Sequence, residues 1–108
     1  MIDVRRSELF VRWFRALRDR RAQERISKRI SRLYYGLLGD AKAVGDGVIE
    51  LRIDYGPGYR LYLVRQGDVM IVLLLCGGDK RSQQRDIDRA KAMVEEIERN
   101  GMEDGSWQ

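Results

Sequence analysis

An α+β domain is the fold class this sequence predicts, on three observations. Two apolar stripes of helical period come first, a stretch of period-two alternation follows, and a third helical stripe closes the chain. The 108 residues leave room for one domain, and 44% hydrophobic with 35% charged residues is a globular composition rather than a disordered one. We expect a single domain over residues 1–99 and a flexible tail over 100–108.

Ser7 can cap a helix whose apolar positions Phe10, Trp13, Phe14 and Leu17 fall three and four apart. The stripe fails at Arg20, Arg21 and Glu24, so a turn near Asp19 separates it from a second stripe through Ala22, Ile26, Ile30 and Leu33. Gly36 and Gly39 end that helix. After the Gly45-Asp46-Gly47 turn, Ile49, Leu51 and Ile53 alternate with Glu50, Arg52 and Asp54, as in a half-buried strand. Tyr55-Gly56-Pro57-Gly58 turns the chain into a second strand, Tyr59 to Arg65. Gln66-Gly67-Asp68 leads into the apolar run Val69 to Cys76, which reads as the buried centre of the sheet. Asp79 or Ser82 can cap a last helix carrying Ile87, Ala90, Val94 and Ile97. Short hairpins make the sheet antiparallel, with helices packed on it.

Several chemistries are excluded by composition. With no histidine and one cysteine, neither a Cys/His zinc site nor a histidine-based triad can be built. Cys76 cannot pair within the chain, which fits a reducing, cytoplasmic setting, and its place in an apolar run reads as burial. No apolar run approaches the roughly 20 residues that span a bilayer. Gly77-Gly78-Asp79-Lys80 lacks the spacing of a P-loop.

Charge is uneven along the chain. Residues 1–35 carry 11 Lys/Arg against 4 Asp/Glu, net +7, and residues 36–108 carry 10 against 13, net −3. A basic region of this kind attracts phosphate backbones or an acidic protein partner. Alternation along the hairpin puts Arg52 beside Arg60 on the side opposite the apolar face, and Lys80 follows the next strand. Three converging cations repel unless an anion lies between them, and phosphate is a natural occupant. The same pattern also reads as a solvated face in which Glu50 pairs across strands with Arg60.

Read in order, the motifs Trp13-Phe14-x-x-Leu17, Arg25-Ile26-x-x-Arg29-Ile30-x-x-Leu33, Gly39-Asp40-x-Lys42-x-Val44-Gly45-x-Gly47-Val48-x-Glu50-Leu51-Arg52-Ile53, Tyr55-Gly56-Pro57-Gly58-Tyr59-Arg60 and Leu75-Cys76-Gly77-Gly78-Asp79-Lys80-x-x-Gln83-x-x-Asp86-Ile87 resemble the addiction-module killer proteins of the RelE/HigB type. The resemblance covers about residues 9 to 98. It implies a RelE-like fold: a small antiparallel-rich sheet with two N-terminal helices and one C-terminal helix packed on it. It further implies the toxin of a toxin-antitoxin pair, an endonuclease on mRNA at the ribosome, with no cofactor or metal. The implied partners are a cognate antitoxin, a small helix-turn-helix protein, together with the ribosome and mRNA, and no membrane.

Carried over residue by residue, the resemblance assigns Arg52, Arg60 and Lys80 to catalysis. A second lysine of the better-studied branch is replaced here by Glu50, and a tyrosine of the last helix by Ile87 or a neighbour. Arginine clamps phosphate but carries protons poorly, so Lys80 or Glu50 is the candidate proton carrier. Arg25, Arg29, Arg32, Lys42, Tyr55, Tyr59 and Gln83 are assigned to RNA binding, the tyrosines by stacking on bases. A different class remains open: a non-catalytic toxin that inhibits a large enzyme such as DNA gyrase, in the manner of ParE relatives.

Overall fold

The computed structural model describes residues 1–67, 71–101 and 107–108. The chain begins with a short strand β1 (Asp3–Arg6) and passes at Ser7 into helix α1 (Glu8–Ala16). The Ser7 hydroxyl accepts the Phe10 N–H at 2.9 Å, which fixes the helix start. Asp19 does the same for α2 (Arg20–Leu33), accepting from the N–H groups of Arg21 and Ala22. The predicted stripe of α2 is buried at Ala22, Ile26, Ile30 and Leu33. Burial of each large aliphatic there contributes about 1.5–3 kcal/mol, which holds an otherwise highly charged helix on the sheet.

Four strands follow: β2 (Ala41–Gly45), β3 (Val48–Ile53), β4 (Tyr59–Gln66) and β5 (Ile71–Gly78). A single 3₁₀ turn, Lys80–Ser82, leads into α3 (Gln83–Asn100). The sheet order is β1-β5-β4-β3-β2, antiparallel throughout except for the parallel pair β1–β5. One face carries Leu51, Ile53, Tyr59, Leu61 and Leu63 against the stripe of α2 and Phe10 of α1. The other carries Val48, Tyr62, Leu73 and Leu75 against Ile87, Ala90 and Val94 of α3. No helix among the described residues is long and apolar enough to cross a membrane.

The α+β class and the three helices are as the sequence predicts. The sheet differs in three respects. It has five strands: β1 and β2 show no alternation, because β1 buries only Val4 fully and β2 is an exposed edge. The centre is therefore β4 rather than the strand ending at Cys76, because β1 takes the far side of β5. The start of that strand at Val69 and part of the Gln66-Gly67-Asp68 connection lie outside the described residues. Third, the polar face is only partly open to solvent. Helix α3 covers part of it, and Glu50 is fully buried there while Arg52 stays partly exposed.

Helix α3 runs to Asn100, and Trp107 pairs with Ser7 in an isolated antiparallel bridge. Backbone hydrogen bonds in both directions join Arg6 and Gln108.

Candidate functional site

Register builds the site. Arg52 lies directly opposite Arg60 in the β3–β4 ladder, and Arg60 lies opposite Gly78 in β4–β5. One step along, Lys42, Glu50, Tyr62 and Cys76 form the neighbouring row across β2, β3, β4 and β5. Cross-strand partners share a face, so these side chains meet beneath the N-terminal end of α3.

Glu50 is the hub. Its Oε1 accepts from Arg52 Nε at 2.9 Å, and its Oε2 accepts from the Tyr62 hydroxyl at 3.0 Å and from Gln83 Nε2 at 2.9 Å. Arg60 Nε lies 3.8 Å from the same Oε2, close enough for charge attraction but not for a hydrogen bond. Burial alone pushes the Glu50 carboxyl up, yet hydrogen bonds from Gln83, Arg52 and Tyr62 hold it below its ordinary value. The Tyr62 phenol is pushed up by burial and by the adjacent carboxylate, so it stays a neutral donor. Glu50 is thus ionised, with both oxygens engaged, which unsuits it to accept a proton from substrate. In this arrangement Glu50 anchors the two guanidiniums. The cross-strand pairing of Glu50 with Arg60 is present, but one carboxylate serves two guanidiniums, and positive charge is left over.

Arg60 is held from two sides. Its Nη1 donates to the Gly58 carbonyl at 2.8 Å, while its Nε is the one buried side-chain nitrogen or oxygen without a hydrogen-bond partner among the described residues. Such an orphan costs about 1–3 kcal/mol, and native sites that keep one call for an explanation. Gly58 separates Arg60 from Lys80: a Cβ built on it would lie 3.3 Å from Arg60 Nη1 and 3.6 Å from Lys80 Cβ. With φ at +79°, this position also favours glycine conformationally. Lys80 is exposed on the 3₁₀ turn, its Cβ beside Gly58. Asp79 holds that turn by accepting from the N–H groups of Arg81 and Ser82, and the Ser82 hydroxyl accepts from Asp79 N–H in return.

Gln83 joins the site through Glu50, and Lys42 flanks it from the edge strand, exposed. Other expected RNA-binding residues are placed differently. Tyr59 is buried on the opposite face, its ring edge-on to Trp13 with centroids 6.3 Å apart, so it is a core residue. Arg29 donates to the carbonyls of Leu38, Asp40 and Arg52 at 2.9, 2.6 and 2.7 Å, which consumes its guanidinium as a staple between α2 and the sheet. Tyr55 donates its hydroxyl to Asp19 at 2.9 Å, and the Arg25 guanidinium lies 4.6 Å over its ring. That bond lowers the Asp19 carboxyl and raises the Tyr55 phenol. Tyr55 therefore braces the β3–β4 turn against α2, with one face of its ring already covered. Arg25 and Arg32 remain exposed on α2, away from the Glu50 network. Cys76 is buried, its thiol pushed up to about 12, and is inert, as expected.

Sequence reasoning missed Tyr62 as a partner of Glu50 and the Arg60 contact to Gly58. The alternation of β4 already placed Tyr62 on the site's face and Tyr59 on the other.

No family model matches the chain. An uncharacterized protein of Haemophilus influenzae is 46% identical over 96 residues, covering 89% of this chain and 96% of that one. Among solved structures, a mutant of the E. coli toxin RelE in the free state superposes with a TM-score of 0.67 at 13% identity, covering 85% of this chain and 97% of RelE. The intact E. coli RelBE toxin-antitoxin complex gives a TM-score of 0.61 at 14% identity, over 73% of this chain and 96% of the matched one. The chain thus has a RelE-like fold and belongs to one family with the Haemophilus influenzae protein.

Proposed function

We propose that this chain is the toxin of a toxin-antitoxin pair and that it cleaves mRNA on the ribosome. The observation that carries the reading is the pair Arg52 and Arg60, side by side across two strands, sharing one buried carboxylate, with Lys80 across Gly58. Two RelE structures with this fold, one of them in complex with its antitoxin, support the same reading.

In the reaction we infer, the 2′-oxygen of one nucleotide attacks the adjacent phosphorus and the bond from phosphorus to the 5′-oxygen of the next nucleotide breaks. A 2′,3′-cyclic phosphate remains. One proton leaves the 2′-hydroxyl and one reaches the departing 5′-oxygen. Negative charge grows on the phosphoryl oxygens, and the guanidiniums of Arg60 and Arg52 are aimed to receive it. Glu50, Tyr62 and Gln83 hold those guanidiniums in place. Lys80, exposed at the rim, is the candidate proton carrier. The cognate antitoxin is proposed to be a small helix-turn-helix protein, and the site of action the cytoplasm.

Purified protein added to translating ribosomes tests this reading. Codon-phased cuts are expected in the mRNA, and Arg60→Ala should lower the cleavage rate about 10²–10³-fold, the cost of one lost charge-stabilising donor. The engagement of both Glu50 oxygens favours a second reading, because it leaves the site without a free carboxylate base. In that reading the chain inhibits a large enzyme such as DNA gyrase without catalysis. Intact mRNA with DNA damage on induction decides for it.

A further inference from the structure

The end of β5 separates two features. On one side is the Arg52–Arg60 pair. On the other, residues of α1, of α3 and of the end of β5 line a cleft of about 590 Å³. One wall is cationic: Arg81 from the 3₁₀ turn, then Arg85 and Arg89 from α3, all three exposed. Arg85 and Arg89 are four residues apart, about 6 Å along the helix axis, and so face the same way. The opposite wall is flat and apolar, made by Trp13 and Leu9 of α1. The floor is Gly77-Gly78 backbone. A Cβ on Gly77 would fall 2.3 Å from a Trp13 ring atom, so the indole lies directly on the strand.

The acids in the cleft are already engaged. Asp86 is buried and accepts from the Ser82 hydroxyl, and Asp79 caps the 3₁₀ turn, with Arg81 at 3.8 Å. Among the described residues neither Arg85 nor Arg89 has an ion-pair partner. Charge on one wall and an aromatic plane on the other match a ligand with an anionic backbone and flat bases. An acidic peptide would use only the first wall. Lys80 and Arg81 are adjacent in sequence, one beside Gly58 and the other in the cleft, so one strand of nucleic acid can run from the first site into the second.

We propose that the cleft between α1 and α3 is a second RNA subsite, where Arg81, Arg85 and Arg89 bind phosphates of single-stranded RNA and Trp13 stacks on a base. The proposal rests on the nuclease reading for its substrate class but not for its residues. Binding of a short, 2′-O-methylated, fluorescein-labelled single-stranded RNA to the full chain tests it. Arg85→Gln/Arg89→Gln should raise Kd roughly tenfold and flatten the plot of log Kd against log salt by about 1.4, at about 0.7 per lost phosphate contact. Arg99→Gln, on the same helix outside the cleft, should change neither.

In a Trp107→Phe background, RNA should quench Trp13 fluorescence, and the double variant should lose the quenching. Unchanged affinity and slope in Arg85→Gln/Arg89→Gln overturn the subsite, and if Arg60→Ala has meanwhile abolished cleavage, the nuclease reading stands alone. RNA held by the cleft, while the unaltered protein leaves mRNA on translating ribosomes uncut, supports the subsite and overturns the nuclease reading. Displacement of the RNA by poly-glutamate at equal affinity, with Trp13 unquenched, assigns the cleft to an acidic polypeptide and also overturns the proposal.

Discussion

Glu50 ties its residue neighbours together, and its removal separates two effects. Glu50→Gln keeps the shape but leaves Arg52 and Arg60 without a counter-ion. Breaking a buried pair costs about 3–5 kcal/mol, but Arg52 is 38% exposed and water offsets part of the loss, so about 2 kcal/mol is expected in urea denaturation at neutral pH. The Glu50 carboxyl is held below its ordinary 4.5 in the folded protein, so on acidification the unfolded chain takes up its proton first. Its contribution is full above about pH 4.5 and is lost as pH falls through the folded value; the variant should show a shallower acid limb. Arg29 offers a contrast. Arg29→Ala should cost about 2–3 kcal/mol in the denaturation midpoint, since charged hydrogen bonds contribute about 1.5–3 kcal/mol each without adding. Arg29→Lys should rescue little, because one ammonium cannot span three carbonyls set for a planar fork. The pairing of Arg52 with Arg60 was legible in the sequence because strand alternation is strict. The role of Arg29 was not, because its acceptors are backbone carbonyls 9 to 23 residues away that leave no side-chain signature.

Among the elements, the 3₁₀ turn matters most to the site. It sets Lys80 beside Gly58 and delivers Gln83 to Glu50, and Asp79 is its cap. Asp79→Ala should lower stability by about 1 kcal/mol in a thermal melt. If the nuclease reading holds, cleavage should fall at least tenfold, a larger loss than the stability change explains, because small misplacements of reacting groups are costly. The helices could be read from their apolar stripes, β3 and β4 from alternation, and β5 from its continuous apolar run. β1 and β2 could not: Asp3, Arg5 and Arg6 surround the one fully buried residue of β1, and no side chain of β2 is fully buried. Both strands exist through backbone pairing to a neighbour, which sequence pattern does not record. The burial of Glu50 was hidden for the same reason, because it depends on α3 lying across β3 and β4.

At the scale of the whole molecule, the surplus of basic charge sits on α1 and α2. Lys28 and Arg32 are exposed there, whereas Arg29 between them in sequence is half-buried. Lys28→Gln and Arg32→Gln should each flatten the salt dependence of single-stranded RNA binding by about 0.7 if they contact phosphate, and leave the denaturation midpoint within 0.5 kcal/mol of the parent. Arg29→Ala should do the reverse. The same comparison at the ribosome separates general attraction from chemistry, because neither exposed substitution should alter the pattern of cuts.

The parallel pairing of β1 with β5 sets the order in which the chain can close. The Ser7 hydroxyl donates to the carbonyl of Leu75, 68 residues later, and β5 pairs with both β1 and β4. Contacts of such long sequence separation are entropically expensive and slow to form. A growing polypeptide released before residue 71 would carry both arginines of the site and could pair β3 with β4, yet would hold no partner strand for β1. Competence therefore waits on the synthesis of β5.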